Sequence, residues 1–205
     1  MNGRQDARYR LFVAIRVPER VKDQMERAQL ELRRALLNAR VSWVGRAQFH
    51  VTLKFLGSVD RTEVDAIGRA LESAGKRFYP LPLDAIGVLA FPERRPRVMC
   101  VPVLETHPRL ASLHSAVEEA TAEFTSEAPE RSFKGHITLG RLRTTGRQVV
   151  GLASTIARTM ETRRFGSWTA EAIELVRSEL GPGGSRYTTL AAIPLSARSD
   201  TSGGS

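Results

Sequence analysis

One tetrad occurs twice in this chain of 205 residues: His50-Val51-Thr52-Leu53 and His136-Ile137-Thr138-Leu139. Each copy sits in an alternating run, AQFHVTLKFL at 47–56 and RSFKGHITLG at 131–140, and each run reads as a β-strand. For a given histidine, the pattern His–apolar–Thr–Leu arises by chance roughly two times in a thousand. Two hits among four histidines arise in fewer than about one random shuffle in ten thousand. The copies are 86 residues apart, and Arg61 and Arg147, at the same offset, each open the helix that follows. The order helix, His-bearing strand, helix therefore occurs twice and predicts two pseudo-equivalent α+β lobes.

The remaining pattern fills in that frame. Residues 10–15 read as a buried strand, and Pro18 opens an amphipathic helix over about 18–38, with Val21, Met25, Ala28, Leu32 and Leu36 on one stripe. Gly57 closes the first His strand, and Asp60 and Thr62 cap a second helix carrying Ile67 and Leu71. Short strands are expected near 81–90 and 97–104, a helix capped by Thr106, a helix near 147–161, and strands near 170–178 and 186–194. Residues 1–9 and 196–205 have the composition of flexible ends around a single domain over 10–195.

Composition limits the chemistry. Cys100 is the single cysteine, so an intramolecular disulfide and a Cys-rich zinc site are both excluded. The longest apolar run near the N-terminus is Leu11 to Ile15, too short for a span or a signal core, so a cytoplasmic location away from membranes is expected. The net charge is +9, and of 31 basic residues only Lys22, Lys54, Lys76 and Lys134 are lysine. Such a field suits a polyanionic partner, and arginine binds phosphate through a planar fork. Codon bias also produces arginine-rich chains.

On a strand, His and Thr two positions apart share a face, ~7 Å apart along the chain. Strict alternation puts Gln48, His50, Thr52 and Lys54 on one face and Phe49, Val51, Leu53 and Phe55 on the other. On the second strand Lys134, His136 and Thr138 oppose Phe133, Ile137 and Leu139. Two facing His–Thr pairs suit in-line displacement at phosphorus. One imidazole takes a proton from the attacking water, the other gives one to the leaving alkoxide, and hydroxyls hold the non-bridging oxygens. That chemistry calls for no metal and no cofactor. The spacing does not say which histidine plays which part.

The chain resembles the 2H phosphoesterase superfamily, and within it the bacterial and archaeal RNA 2′,3′-cyclic phosphodiesterases, once described as 2′-5′ RNA ligases. The segments that carry the resemblance are RLFVAIRVP at 10–18, VSWVGRAQFHVTLKFLG at 41–57, KGHITLGRLR at 134–143 and LVRSELGPGGSRYTTLAAIPL at 175–195. The resemblance implies two lobes, each an antiparallel sheet backed by helices, with a central cleft lined by the two HxTx strands. It implies His50 as proton donor to the leaving 3′-oxygen, His136 as proton acceptor from water, and Thr52 and Thr138 as holders of the phosphate. The implied partners are RNA ends or nucleotide 2′,3′-cyclic phosphates, and the product is a 2′-phosphate. Other cyclic phosphates such as ADP-ribose 1″,2″-cyclic phosphate, 2′-5′ RNA ligation, or nucleotide binding without turnover are the alternatives. A monomer is the default.

Arg141, Lys54 and Lys134 are the candidates for binding substrate. By parity Arg141 falls with Leu139 on the core side, so Gly140 is expected to mark a twist, bulge or strand end that frees it for phosphate. Trp43, Phe49 and Phe55 read as core rather than as base-stacking platforms, and Tyr187 as a packing residue. His107 and His114 read as structural or surface groups, Gly181-Pro182-Gly183-Gly184 as a hairpin turn rather than a phosphate loop, and Cys100 as buried and inert.

Overall fold

A computed structural model describes residues 7–93, 95–105, 108–130, 132–143, 146–181 and 184–196. His107, Thr106, most of the C-terminal tail and the centre of the Gly-Pro-Gly-Gly turn lie outside the described residues. The strands are β1 (Arg8–Arg16), β2 (Val41–Trp43), β3 (His50–Asp60), β4 (Leu81–Ile86), β5 (Leu89–Phe91), β6 (Val98–Glu105), β7 (His136–Leu142), β8 (Arg164–Ala170), β9 (Ala172–Gly181) and β10 (Gly184–Pro194). The helices are α1 (Glu19–Ala35), α2 (Val64–Gly75), α3 (Arg109–Thr121) and α4 (Arg147–Thr159). No helix among the described residues is long and apolar enough to cross a membrane.

Two sheets form, both with antiparallel pairing throughout. One has the order β10-β9-β1-β3, the other β2-β7-β6-β4-β8 with β5 on β6. Each backs onto two helices. Helices α2 and α3 pack together against the first sheet, and α1 and α4 against the second. The two lobes are thus real, but they are not the two halves of the sequence. Helix α1 follows a strand of the first sheet and covers the second; α3 follows a strand of the second and covers the first. Each lobe borrows a helix from the other, and one contiguous core of buried residues runs through both. Strand β1 is buried on its two faces: Leu11, Val13 and Ile15 join that core, while Phe12 and Ala14 form a small separate cluster with Val176.

Local chemistry explains several boundaries. The Asp60 carboxylate accepts from the Thr62 backbone N–H at 2.9 Å and starts the turn that leads into α2. At α3 the capping oxygen comes from Glu105, whose carboxylate accepts from the N–H groups of Arg109 (3.0 Å) and Leu110 (2.6 Å). Strand β1 begins at Arg8, inside the stretch expected to be loose. Strand β3 runs on through Gly57, where φ is +70°, to Asp60 instead of ending there. Residues Arg46–Gln48 form a single 3-10 turn, so the first His strand begins at His50 itself.

Candidate active site

The two histidines are mounted in the same way. The His50 Nδ1 faces the carbonyl oxygen of Gln48 at 2.6 Å, and the His136 Nδ1 faces that of Lys134 at 2.8 Å. A carbonyl can only accept, so in each ring Nδ1 carries the hydrogen and Nε2 is left for proton transfer. The Thr52 hydroxyl donates to the His50 Nε2 at 2.8 Å. Phe12 lies against the His50 ring with centroids 4.8 Å apart, and Tyr187 meets both Phe12 (5.0 Å) and His50 (5.4 Å) edge-on. The packing role expected for Tyr187 is therefore to brace the His50 imidazole.

A β-bulge at the fourth residue of each tetrad decides what else faces the cleft. Along β1 and β3, Ala14 pairs with Thr52 and Val13 with Lys54, which leaves Leu53 as the extra residue. Along β6 and β7, Cys100 pairs with Thr138 and Met99 with Gly140, which leaves Leu139 over. One extra residue reverses the alternation beyond it. Residues Leu53 and Lys54 are consecutively buried, as are Leu139 and Gly140, and Phe55 and Arg141 then turn outward at equivalent positions. Arg141 reaches the cleft wall through a bulge one residue before Gly140, the position at which the sequence predicted irregular backbone. That for Lys54 is corrected: the bulge turns it away from the cleft, and it is 5% exposed and paired with Glu118 at 2.7 Å. Lys134 is likewise not on the cleft; its side chain borders a separate depression beside Phe91 and Glu161, and only its backbone oxygen serves the site.

Two groups elsewhere hold the second bulge in shape. The Gln29 side chain, buried on α1, donates to the carbonyls of Val44 (2.7 Å) and Leu139 (2.8 Å). Gly140 lies beneath Trp43, where a Cβ would come within 2.8 Å of the indole.

A cleft of about 310 Å³ lies between the sheets, with His50, Thr52 and Phe55 on one wall and His136, Thr138 and Arg141 on the other. Phe55, read as core from the sequence, is 54% exposed here, whereas Phe49 is buried as expected. Trp43 is half-buried and also borders the cleft. Arg143, which the sequence reading missed, shares the cleft and donates through Nε to the Ser42 hydroxyl at 2.8 Å. The spacing of two from Arg141 is the signal that could have found it. Gly181 pairs with Gly184 across the β9–β10 hairpin, and Gly184 reaches the rim of the cleft. His114 is buried under Phe133 on the outer side, along α3, and Cys100 is buried with its thiol pushed up to about 11 by desolvation.

Among the described residues that line the cleft, Arg141 and Arg143 are basic and none is acidic. Burial holds the His50 imidazole at about 4 against the opposing effect of the Gln48 carbonyl, and the nearby His136, Lys22 and Arg141 lower it further. Without an anion His50 is neutral at physiological pH. Among the described residues no three His, Cys, Asp or Glu side chains are grouped to hold a metal ion.

The sequence profile described as LigT-like phosphoesterase matches residues 15–100. The RNA 2′,3′-cyclic phosphodiesterase of Thermus thermophilus is 33% identical over 192 residues, covering 88% of this chain and 87% of that protein. The protein of that name from Methanothermobacter thermautotrophicus is 29% identical over 184 residues, covering 88% of this chain and 96% of that one. A crystal structure of a Thermus thermophilus protein superimposes with a TM-score of 0.75 over 93% of this chain and all of its own, at 27% identity. Escherichia coli LigT, crystallised with 3′-AMP, shares the fold with a TM-score of 0.70 over 92% of this chain and 98% of its own, at 23% identity. The chain belongs to the LigT-like phosphoesterase family of the 2H superfamily.

Proposed function

We propose that this phosphoesterase hydrolyses the 2′,3′-cyclic phosphate of RNA ends or nucleotides to a 2′-phosphate, without a metal. Water attacks phosphorus and gives its proton to the His136 Nε2. The bond from phosphorus to the 3′-oxygen breaks, and that oxygen takes the proton carried by the His50 Nε2. Thr52, Thr138 and Arg141 hold the non-bridging oxygens. The observation that carries this reading is the shared mounting of the two imidazoles: each is held through Nδ1 by a carbonyl two residues back, beside one cleft. Relatives named RNA 2′,3′-cyclic phosphodiesterase over most of the chain support the substrate.

A proton donor at His50 must first be charged, and burial opposes this. The substrate phosphate answers the difficulty, because an anion in the cleft beside His50 and Arg141 offsets the positive charge that holds the imidazole neutral. The linkage has a definite sign. An anion that raises the His50 ionisation binds together with a proton, so its affinity rises as pH falls toward about 4, the value without the anion. Sulfate, which does not titrate in this range, is expected to follow that trend by calorimetry, with net proton uptake. The His50→Gln variant should lose the His50 share of the uptake; unchanged uptake in that variant would place the proton elsewhere.

The direct assay uses 2′,3′-cyclic AMP in excess EDTA. Turnover to 2′-AMP is the expected result. A 3′-phosphate product, or activity only with added divalent metal, contradicts the proposal.

A further inference from the structure

His136 is delivered to the cleft by a stretch of irregular backbone. Between the 3-10 turn Ala122–Phe124 and the start of β7, the described residues of 125–135 include no helix or strand. Such a segment must take its shape from the side chains that hold it. The Thr125 hydroxyl donates to the Leu56 carbonyl at 2.8 Å, and the Glu130 N–H donates to Glu118 Oε1 at 3.2 Å. Phe133 stacks on His114 with ring centroids 4.2 Å apart. Gly135 accepts from the Val103 N–H at 2.8 Å, and Lys134 accepts from the His136 Nδ1 at 2.8 Å.

The centre of this arrangement is Lys54. Its ammonium meets Glu118 Oε2 at 2.7 Å and donates to the carbonyls of Glu127 (3.2 Å) and Ala128 (3.4 Å). An ammonium has three donors, and here all three are used. The group is almost wholly buried, in a place it reaches only because the bulge at Leu53 turns it out of the cleft. Lys54 therefore joins three things: the strand that carries His50, helix α3 through Glu118, and the segment that leads to His136. A buried charge left without its partner is costly, so the junction holds one geometry rather than several. Placement errors of about 1 Å at a catalytic group can cost on the order of 10²-fold.

We propose that Lys54 is a positioning residue for His136, fixing the approach of the second catalytic strand from the first. The inference rests on the hydrolysis proposed above for its kinetic consequence, and on geometry alone for the placement of the imidazole. In Lys54→Met, kcat for 2′,3′-cyclic AMP is expected to fall at least about tenfold with KM changed less than about threefold. The His136 ring resonances in a proton–carbon NMR spectrum should shift or broaden while those of His50 stay in place. Leu71→Ala, a core truncation in α2, serves as the control for lost stability alone and should retain kcat per folded molecule. Glu118→Gln keeps the shape and removes the charge; it should change kcat and the His136 resonances in the same direction, and it decides the matter if Lys54→Met does not fold. A kcat within twofold of wild type in a folded variant, equal movement of both histidines, or a matching loss in Leu71→Ala overturns the proposal. If the wild-type protein shows no turnover, the hydrolysis reading fails by itself, and the NMR comparison still decides the placement.

Discussion

Replacing either His50 or His136 by alanine is expected to lower kcat/KM for a 2′,3′-cyclic nucleotide by 10²–10⁴-fold, or about 3–5 kcal/mol of transition-state stabilisation. The two losses should not add. The attacking water and the departing 3′-oxygen exchange protons around one phosphorus, so removing the second imidazole after the first costs far less than the first removal did. His136 stands at the cleft surface, and its loss should leave the fold intact. His50 is partly buried between Phe12 and Tyr187, so its variant needs a melting curve alongside the kinetics. Near-normal turnover in either folded variant ends the two-histidine account.

The next largest effect is expected at Arg141. Its guanidinium lies on the cleft wall with Thr138, and the salt bridges among the described residues include none to it. A guanidinium that reaches the cleft without an internal carboxylate has its charge available for phosphate. Losing one donor to the developing charge typically costs on the order of 10²–10³ in rate. Arg141→Ala should therefore reduce kcat by this order. Arg141→Lys should recover only part of it, because a point charge does not replace the planar fork. The His50 ionisation should also rise in Arg141→Ala, since the arginine's charge is one of those that depress it. Full activity in Arg141→Ala would remove the residue from the site.

The contents of the cleft were largely legible because histidine and threonine two residues apart must share one face of any regular strand. The limit of that logic is visible at Lys54 and Phe55. A bulge adds one residue to one strand, and Leu53, an ordinary buried leucine, gives no warning of it. From Lys54 to Leu56, before a second bulge at Leu56 restores the alternation, the period-two rule assigns each side chain to the wrong face, so Lys54 left the site and Phe55 entered it. The same event at Leu139 brought Arg141 in, and there the neighbouring glycine did hint at irregular backbone. Strands β2 and β8 were missed for another reason: the three residues of VSW and the small residues of RFGSWTA give no clear alternation. The exchange of α1 and α3 between lobes was not legible at all, because an amphipathic stripe says that a helix is covered but not by which sheet. Gln29 shows the same limit, since its two carbonyl partners lie 15 and 110 residues away along the chain.

The central claim is that His50 gives the proton to the leaving oxygen and His136 takes the proton from water. The most direct measurement compares both alanine variants with wild type, in excess EDTA, on 2′,3′-cyclic AMP and on adenosine 2′-(4-nitrophenyl phosphate). In the second substrate nitrophenolate replaces the 3′-oxygen as leaving group and needs little protonation. The account predicts that the His50→Ala deficit shrinks to a small factor on the nitrophenyl ester, while the His136→Ala deficit stays large on both. Equal deficits on the two substrates, or rescue of His136→Ala instead, would contradict it.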